Sequence, residues 1–293
     1  LGVNRAVDAV RNRERLAGKL GVFWHTQGSG KSYSMVFFSE KVQRKLTGNF
    51  TFLVVTDRED LEKQIYNTYV GVGAVNPKEV CRASDGDHLQ QLFREDHAYA
   101  FTLIHKFNKP VDPSAPYSAR RDVIVISDEA HRTQYGRLAI NMRAALPNAH
   151  YIGFTGTPLF KDDELTRRIF GDYVSTYDFQ AAVDDQATVP LYYDNRGDKL
   201  GLAKPDLNQR IAEVLEQTDL DPDQERKVRR LLGQNYRIYT SKQRLDRLAR
   251  DFVWHYTAQW EAGKAMVVCL DKVTAVRMFE LVERHWAQRI KEA

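Results

Sequence analysis

The stretch "WHTQGSGKS", residues 24–32, decides how the chain is read. It follows an apolar run, "GVFWH" (residues 21–25), and leads into a stretch of helical period, residues 32–46. A glycine-rich loop between a buried strand and a helix curls its N–H groups around phosphate oxygens at the positive end of the helix dipole. Gly28 and Gly30 supply the backbone freedom. Lys31 would then reach the β- and γ-phosphates of a nucleotide and the Ser32 hydroxyl would hold Mg²⁺. The general G-x-x-x-x-G-K-[ST] pattern is not met, because His25 stands where its first glycine belongs. What remains is the cradle Thr26, Gln27, Gly28, Ser29, Gly30, Lys31 and Ser32.

Working outward, four more short apolar runs occupy residues 50–56, 99–104, 122–127 and 150–155. They are rich in β-branched and aromatic residues and do not alternate with polar ones, as expected of parallel strands covered on both faces. Amphipathic stretches over residues 58–69, 87–94 and 135–146 separate them. Repeated strand–helix units predict an α/β fold, a doubly wound parallel sheet.

Beyond about residue 190 the pattern changes. Residues 206–217 and 221–232 are charged and helical in period, with Pro205 and Pro222 near their starts. A long helix over 241–263, a buried strand "KAMVVCL" over 264–270 and a helix over 272–291 are expected next. The expected domains are therefore residues 1–193, a helical linker or insertion over 194–240, and the beginning of a second α/β domain over 241–293.

The chain has 293 residues, 43% apolar and 28% charged, with no apolar run near the ~18 to 20 needed to span a bilayer. No membrane partner is expected. Cys81 and Cys269 form no C-x-x-C pair, which argues against a disulfide framework or a zinc site and fits a reducing cytoplasm. A net charge of +4 permits an acidic partner without naming one. The chain opens on Leu1 and reads as a piece of a longer polypeptide.

Two further motifs carry chemistry. "VIVISDEAHRTQYG", residues 123–136, ends a strand in Asp128-Glu129-Ala130-His131. A carboxylate at such a strand end can coordinate Mg²⁺ while its neighbour orients and deprotonates water. Asp128 is assigned to the metal and Glu129 to the water. In "GFTGTPLF", residues 153–160, the hydroxyls of Thr155 and Thr157 can bond the acidic box, His131 included, and sense the γ-phosphate.

Together these blocks resemble the motor subunit of type I restriction endonucleases, within the superfamily 2 helicase-like translocases. "VFWHTQGSGKS", "LVVTDREDLEKQ", "FTLIHKF", "ISDEAHRTQYG", "GFTGTPLF" and "IFGDYVSTYDFQAAVDDQATVPLYY" follow that family's order. The most specific letters are Trp24 to Gln27 and Arg132 to Gly136. The resemblance implies a RecA-like first domain, the start of a second, and ATP with Mg²⁺ as cofactors. It implies a translocase of double-stranded DNA in complex with specificity and methylation subunits, with cleavage following translocation. It also places Thr56, Asp57 and Arg58, and His105, Lys106 and Phe107, where this class touches the DNA backbone. Donors at a sheet's carboxyl edge suit phosphate contact without base readout. Two other readings use the same core letters: a different superfamily 2 DNA or RNA helicase, and a nucleotide-gated binding module without turnover.

Two decoys are set aside. "QRLDRLAR", residues 243–250, matches an ATPase arginine motif but precedes the strand it should follow, and Leu245, Leu248 and Phe252 form an apolar stripe that leaves Arg247 and Arg250 solvated. "DPDQERK", residues 221–227, contains Asp223, Glu225 and Lys227 in a nuclease-like order, but on a helix residues two apart face different ways.

Overall fold

Each apolar run of the first 160 residues becomes a strand because its odd and even residues both find cover. A computed structural model describes residues 1–130, 137–156, 163–194, 234–258 and 263–292. His131, Thr157, residues 206–217 and 221–232, and the Asp223, Glu225 and Lys227 decoy lie outside those residues, as does most of the expected linker. Two compact units are present, Leu1–Tyr192 and Tyr193–Ala293.

The first unit carries β1 (Lys19–His25), β2 (Thr51–Thr56), β3 (Tyr99–Leu103), β4 (Val123–Ser127), β5 (His150–Thr155) and β6 (Tyr173–Tyr177). All pair in parallel in the order β3-β2-β4-β5-β1-β6. Its helices are α1 (Gly2–Arg11), α2 (Lys31–Lys45), α3 (Glu59–Val72), α4 (Gly86–Leu92), α5 (Arg137–Ala145), α6 (Asp163–Phe170) and α7 (Phe179–Asp184), with a 3₁₀ turn at Ile104–Phe107. The five expected strands form, and the sheet is the doubly wound α/β, RecA-like arrangement. Phe52, Val54, Ile124, Ile126, Ile152 and Phe154 face a core shared with α1, α2 and α3. Leu53, Val55, Val123, Val125 and Tyr151 face the opposite core, with α4, α5 and Phe170. Strands covered on both sides leave polar chemistry only at their ends.

Local chemistry fixes the helix starts. Glu59, Asp60 and Glu62 lie in the first turn of α3, where carboxylates meet the positive dipole end. Buried Glu62 also takes a bidentate pair from Arg82 at 2.8 and 2.5 Å. Asp85 caps α4 by accepting from the N–H groups of Asp87 and His88.

The second unit contains α8 (Gln234–Tyr239), α9 (Lys242–Ala258) and α10 (Lys272–Glu292). Helices α9 and α10 pack through Leu245, Ala249 and Met278, with Leu248 and Leu281 beside them. His285 and Arg284 both reach Asp246 across the helix pair, at 3.0 and 2.5 Å. Arg247 and Arg250 are exposed, as the apolar stripe required. The expected strand over residues 264–270 is not formed. Among the described residues no strand pairs with it, and Met266, Val268 and Leu270 are exposed. Apolar character alone does not make a strand, because the backbone N–H and C=O groups need a neighbouring ladder.

One position ties the sheet to the acidic box. A Cβ at Gly153 of β5 would fall 2.9 Å from the Ala130 Cβ and 3.2 Å from the Phe170 ring. Gly153→Ala is therefore expected to destabilise the first unit by about 1–3 kcal/mol, read as a lower denaturation midpoint. An unchanged midpoint would show that Ala130 yields freely.

Candidate nucleotide site

Three loops leave the carboxyl ends of three adjacent strands. The sheet order places β4, β5 and β1 side by side, so the Asp-Glu box, Thr155-Gly156 and the glycine-rich loop share one edge. This is where a doubly wound sheet opens a crevice for ligands.

The loop after β1 has the backbone its sequence required. Gly28 and Gly30 adopt positive φ angles of 82° and 81°, and Gly30 caps α2, which begins at Lys31. Gln27 and Gly28 are exposed, and Thr26, Ser29, Lys31 and Ser32 are half-buried. The Ser29 hydroxyl donates to the Thr26 carbonyl at 2.6 Å and so pins the turn. Lys31 Nζ donates to the His25 carbonyl at 3.3 Å. A Cβ at Gly156 would lie 2.9 Å from both Lys31 Nζ and Gln27 Cγ, so the β5 loop touches the cradle. Thr155 is buried on the same edge.

The acidic box sits at the end of β4. Asp128 is buried and its N–H donates to the Val55 carbonyl at 2.9 Å. Burial first, then the neighbouring Glu129 charge, push the Asp128 carboxyl up to about 6, with Asp57 adding to the rise and Lys31 opposing it. A desolvated carboxylate in a negative field is the setting that a hard divalent cation relieves. Asp128, at the end of β4, and Ser32, at the start of α2 on the same carboxyl edge of the sheet, carry the oxygen donors that such a cation takes. Glu129 has a left-handed backbone, φ 47°, uncommon for a residue with a Cβ and shared among the described residues with Ala17 and Gln186. Its side chain is half-buried.

Sequence reasoning missed the contribution of β6. Ser175 and Tyr177 lie beside β1, where the Tyr177 carbonyl accepts the Thr26 N–H at 2.9 Å and Ser175 meets the His25 ring. The mixed string Tyr173–Tyr177 lacks a continuous apolar run because this edge strand is only half-covered.

The proposed DNA residues separate by burial. Thr56 is buried and its hydroxyl donates to the Arg58 carbonyl, which leaves it no free face for a phosphate. Arg58 is exposed and paired with Asp60 at 2.8 Å. Lys106 is half-buried, and its ammonium donates to the carbonyls of Ala83 and Ser84 at 2.7 and 2.5 Å. It borders a cavity of about 360 Å³ with Arg82, Ser84 and Lys63.

Residues 1–226 match the family described as SWI2/SNF2 ATPase. The chain belongs to that family. Among relatives of this SWI2/SNF2 ATPase chain, the type I restriction enzyme HindI endonuclease subunit of Haemophilus influenzae is 38% identical over 96% of the chain and 28% of the relative. The putative type I restriction enzyme MjaIXP endonuclease subunit of Methanocaldococcus jannaschii is 33% identical over 91% and 26%. The chain thus spans about a quarter of the length of these curated relatives. The solved Hef helicase domain of Pyrococcus furiosus aligns with TM-score 0.44 and 13% identity over 91% of this chain and 51% of that one. Among the described residues no helix is long and apolar enough to cross a membrane, and no cluster of three or more His, Cys, Asp or Glu is placed to hold a metal.

Lys31→Ala is expected to weaken ATP binding roughly ten- to a hundredfold, the loss of one charge-assisted contact of about 1.5–3 kcal/mol. Equal affinity in an equilibrium titration would remove the loop from the nucleotide site.

Proposed function

We propose that this chain is the ATP-driven motor segment of a type I restriction enzyme's endonuclease subunit, moving double-stranded DNA before cleavage. The observation that carries the reading is the convergence of the glycine-rich loop, the Asp-Glu box and the Thr155 loop at the ends of three neighbouring strands. Similarity to restriction endonuclease subunits supports the choice of DNA over other tracks.

In this reading the loop N–H groups and Lys31 bind the triphosphate. Ser32 and Asp128 would hold Mg²⁺, which when bound neutralises charge on the β- and γ-phosphate oxygens. Glu129 orients a water and accepts its proton as that water's oxygen bonds to the γ-phosphorus and the bond to ADP breaks. The hydroxyls of Thr155 and Thr157, with His131, report the presence of the γ-phosphate to the rest of the motor. Arg58 and Lys106, on the same sheet edge, hold the DNA backbone, and the specificity and methylation subunits supply site recognition. Residues 1–193 act as the first motor lobe, 194–240 as a linker and 241–293 as the start of the second.

In the full-length protein, Glu129→Gln should abolish DNA-stimulated ATP hydrolysis while leaving ATP affinity within about twofold, because the carboxylate acts on water and not on the nucleotide. Persistent hydrolysis would take Glu129 out of the water-activating role. On DNA, Arg58→Ala or Lys106→Ala should weaken duplex binding equally across sequences and reduce the salt dependence by about one counterion. An altered sequence preference with an unchanged salt slope would return both residues to ordinary surface.

A further inference from the structure

His25 is the last residue of β1, at the position where the general phosphate-loop pattern has its first glycine. A glycine would leave the entry to the loop conformationally loose. The imidazole ties it down. His25 Nε2 and Ser175 Oγ share a hydrogen bond of 2.7 Å. The ring packs edge-on against Phe23, with centroids 5.3 Å apart, and lies 5.7 Å from the ring of Tyr177. The next residue is held to the same strand, since the Thr26 N–H donates to the Tyr177 carbonyl at 2.9 Å. His25 is also the residue whose carbonyl receives Lys31 Nζ. One residue therefore meets β6 through its side chain and the phosphate-binding lysine through its backbone.

The surroundings suit that arrangement. Burial, and after it the Lys31 charge, lower the imidazole pKa, which favours the neutral ring beside the ammonium. Tyr177 turns its hydroxyl away to Asp185 at 2.9 Å, which leaves Ser175 as the ring's hydrogen-bonding partner on β6.

We propose that the His25–Ser175 pair is a positioning device for Lys31: by locking the end of β1 to β6 it sets where the lysine rests and where its ammonium meets the incoming triphosphate. His25 itself touches no reacting atom. A lysine is a point charge on a flexible stem, so the contact it makes depends on how firmly its loop is anchored. The inference rests on the reading of the loop as the ATP site.

The test is a set of ATP titrations on the full-length protein carrying His25→Ala, Ser175→Ala, the double variant, His25→Gln and Lys31→Ala, with thermal unfolding recorded for each without nucleotide. His25→Ala and Ser175→Ala should each raise the Kd roughly two- to tenfold, the worth of one neutral hydrogen bond. The double variant should be no weaker than either single one, because both remove the same interaction. His25→Gln places an amide nitrogen near the Nε2 position and should restore most of the affinity. Wild-type affinity in both alanine variants, additive losses in the double variant, or failure of glutamine to rescue would each overturn the positioning role, provided Lys31→Ala loses ATP. Wild-type affinity in Lys31→Ala would instead overturn the nucleotide-site reading. Should His25→Ala not fold, Ser175→Ala, which removes a single hydroxyl, decides the matter with His25→Gln.

Discussion

Asp128 is buried at the end of one strand, within electrostatic reach of the carboxylate beside it, Glu129, and of Lys31 on the loop of another strand. Bringing like charges together in a desolvated setting is unfavourable, and burial with the Glu129 charge is what lifts the Asp128 carboxyl to about 6. The sheet is what enforces the meeting. With helices on both faces, β4, β5 and β1 cannot present polar groups along their length, and their carboxyl ends become the place where chemistry collects. The left-handed backbone at Glu129 belongs to the same pattern, a local cost held in place by the buried residues on either side of it, Asp128 and Ala130.

Much of this was legible in the residues. The runs at β1 to β5 are apolar on both faces, and that double cover is the signature of a parallel sheet. Glycines at positions 28 and 30 could be read as positive-φ positions because the strand–loop–helix context demanded them. What escaped was less hydrophobic. Strand β6 lies at the sheet edge, and its string of Tyr, Val, Ser, Thr and Tyr is half-covered, so it carries no strong period. Helix α1 places Val3, Ala6, Val7 and Val10 at helical spacing, yet it is short and opens the chain without a capping side chain. The run at residues 264–270 misled in the opposite direction, since strand propensity cannot report whether a neighbouring ladder exists.

The candidate site divides along similar lines. Lys31, Ser32, Asp128, Glu129 and Thr155 were nameable because their motifs have a fixed relation to strand ends. Ser175 and Tyr177 were not, because they act through their place beside β1 and not through any chemistry of their own. Thr56 shows the converse, a residue with suitable chemistry whose hydroxyl is consumed by the Arg58 carbonyl at the start of α3. His25 looked like a departure from the phosphate-loop pattern, and in the fold it is the joint between that loop and the edge strand.

The most direct measurement is an experimental structure of the full-length protein with Mg²⁺ and a non-hydrolysable ATP analogue. The expected result has the β- and γ-phosphates ringed by the N–H groups of residues 28–32, Lys31 Nζ moved from the His25 carbonyl to a phosphate oxygen, and Ser32 and Asp128 on the metal side with Glu129 facing a water at the γ-phosphate. A nucleotide bound away from this loop, or bound there with Asp128 and Glu129 turned from the γ-phosphate, would contradict the assembly of one hydrolytic site from these three strands.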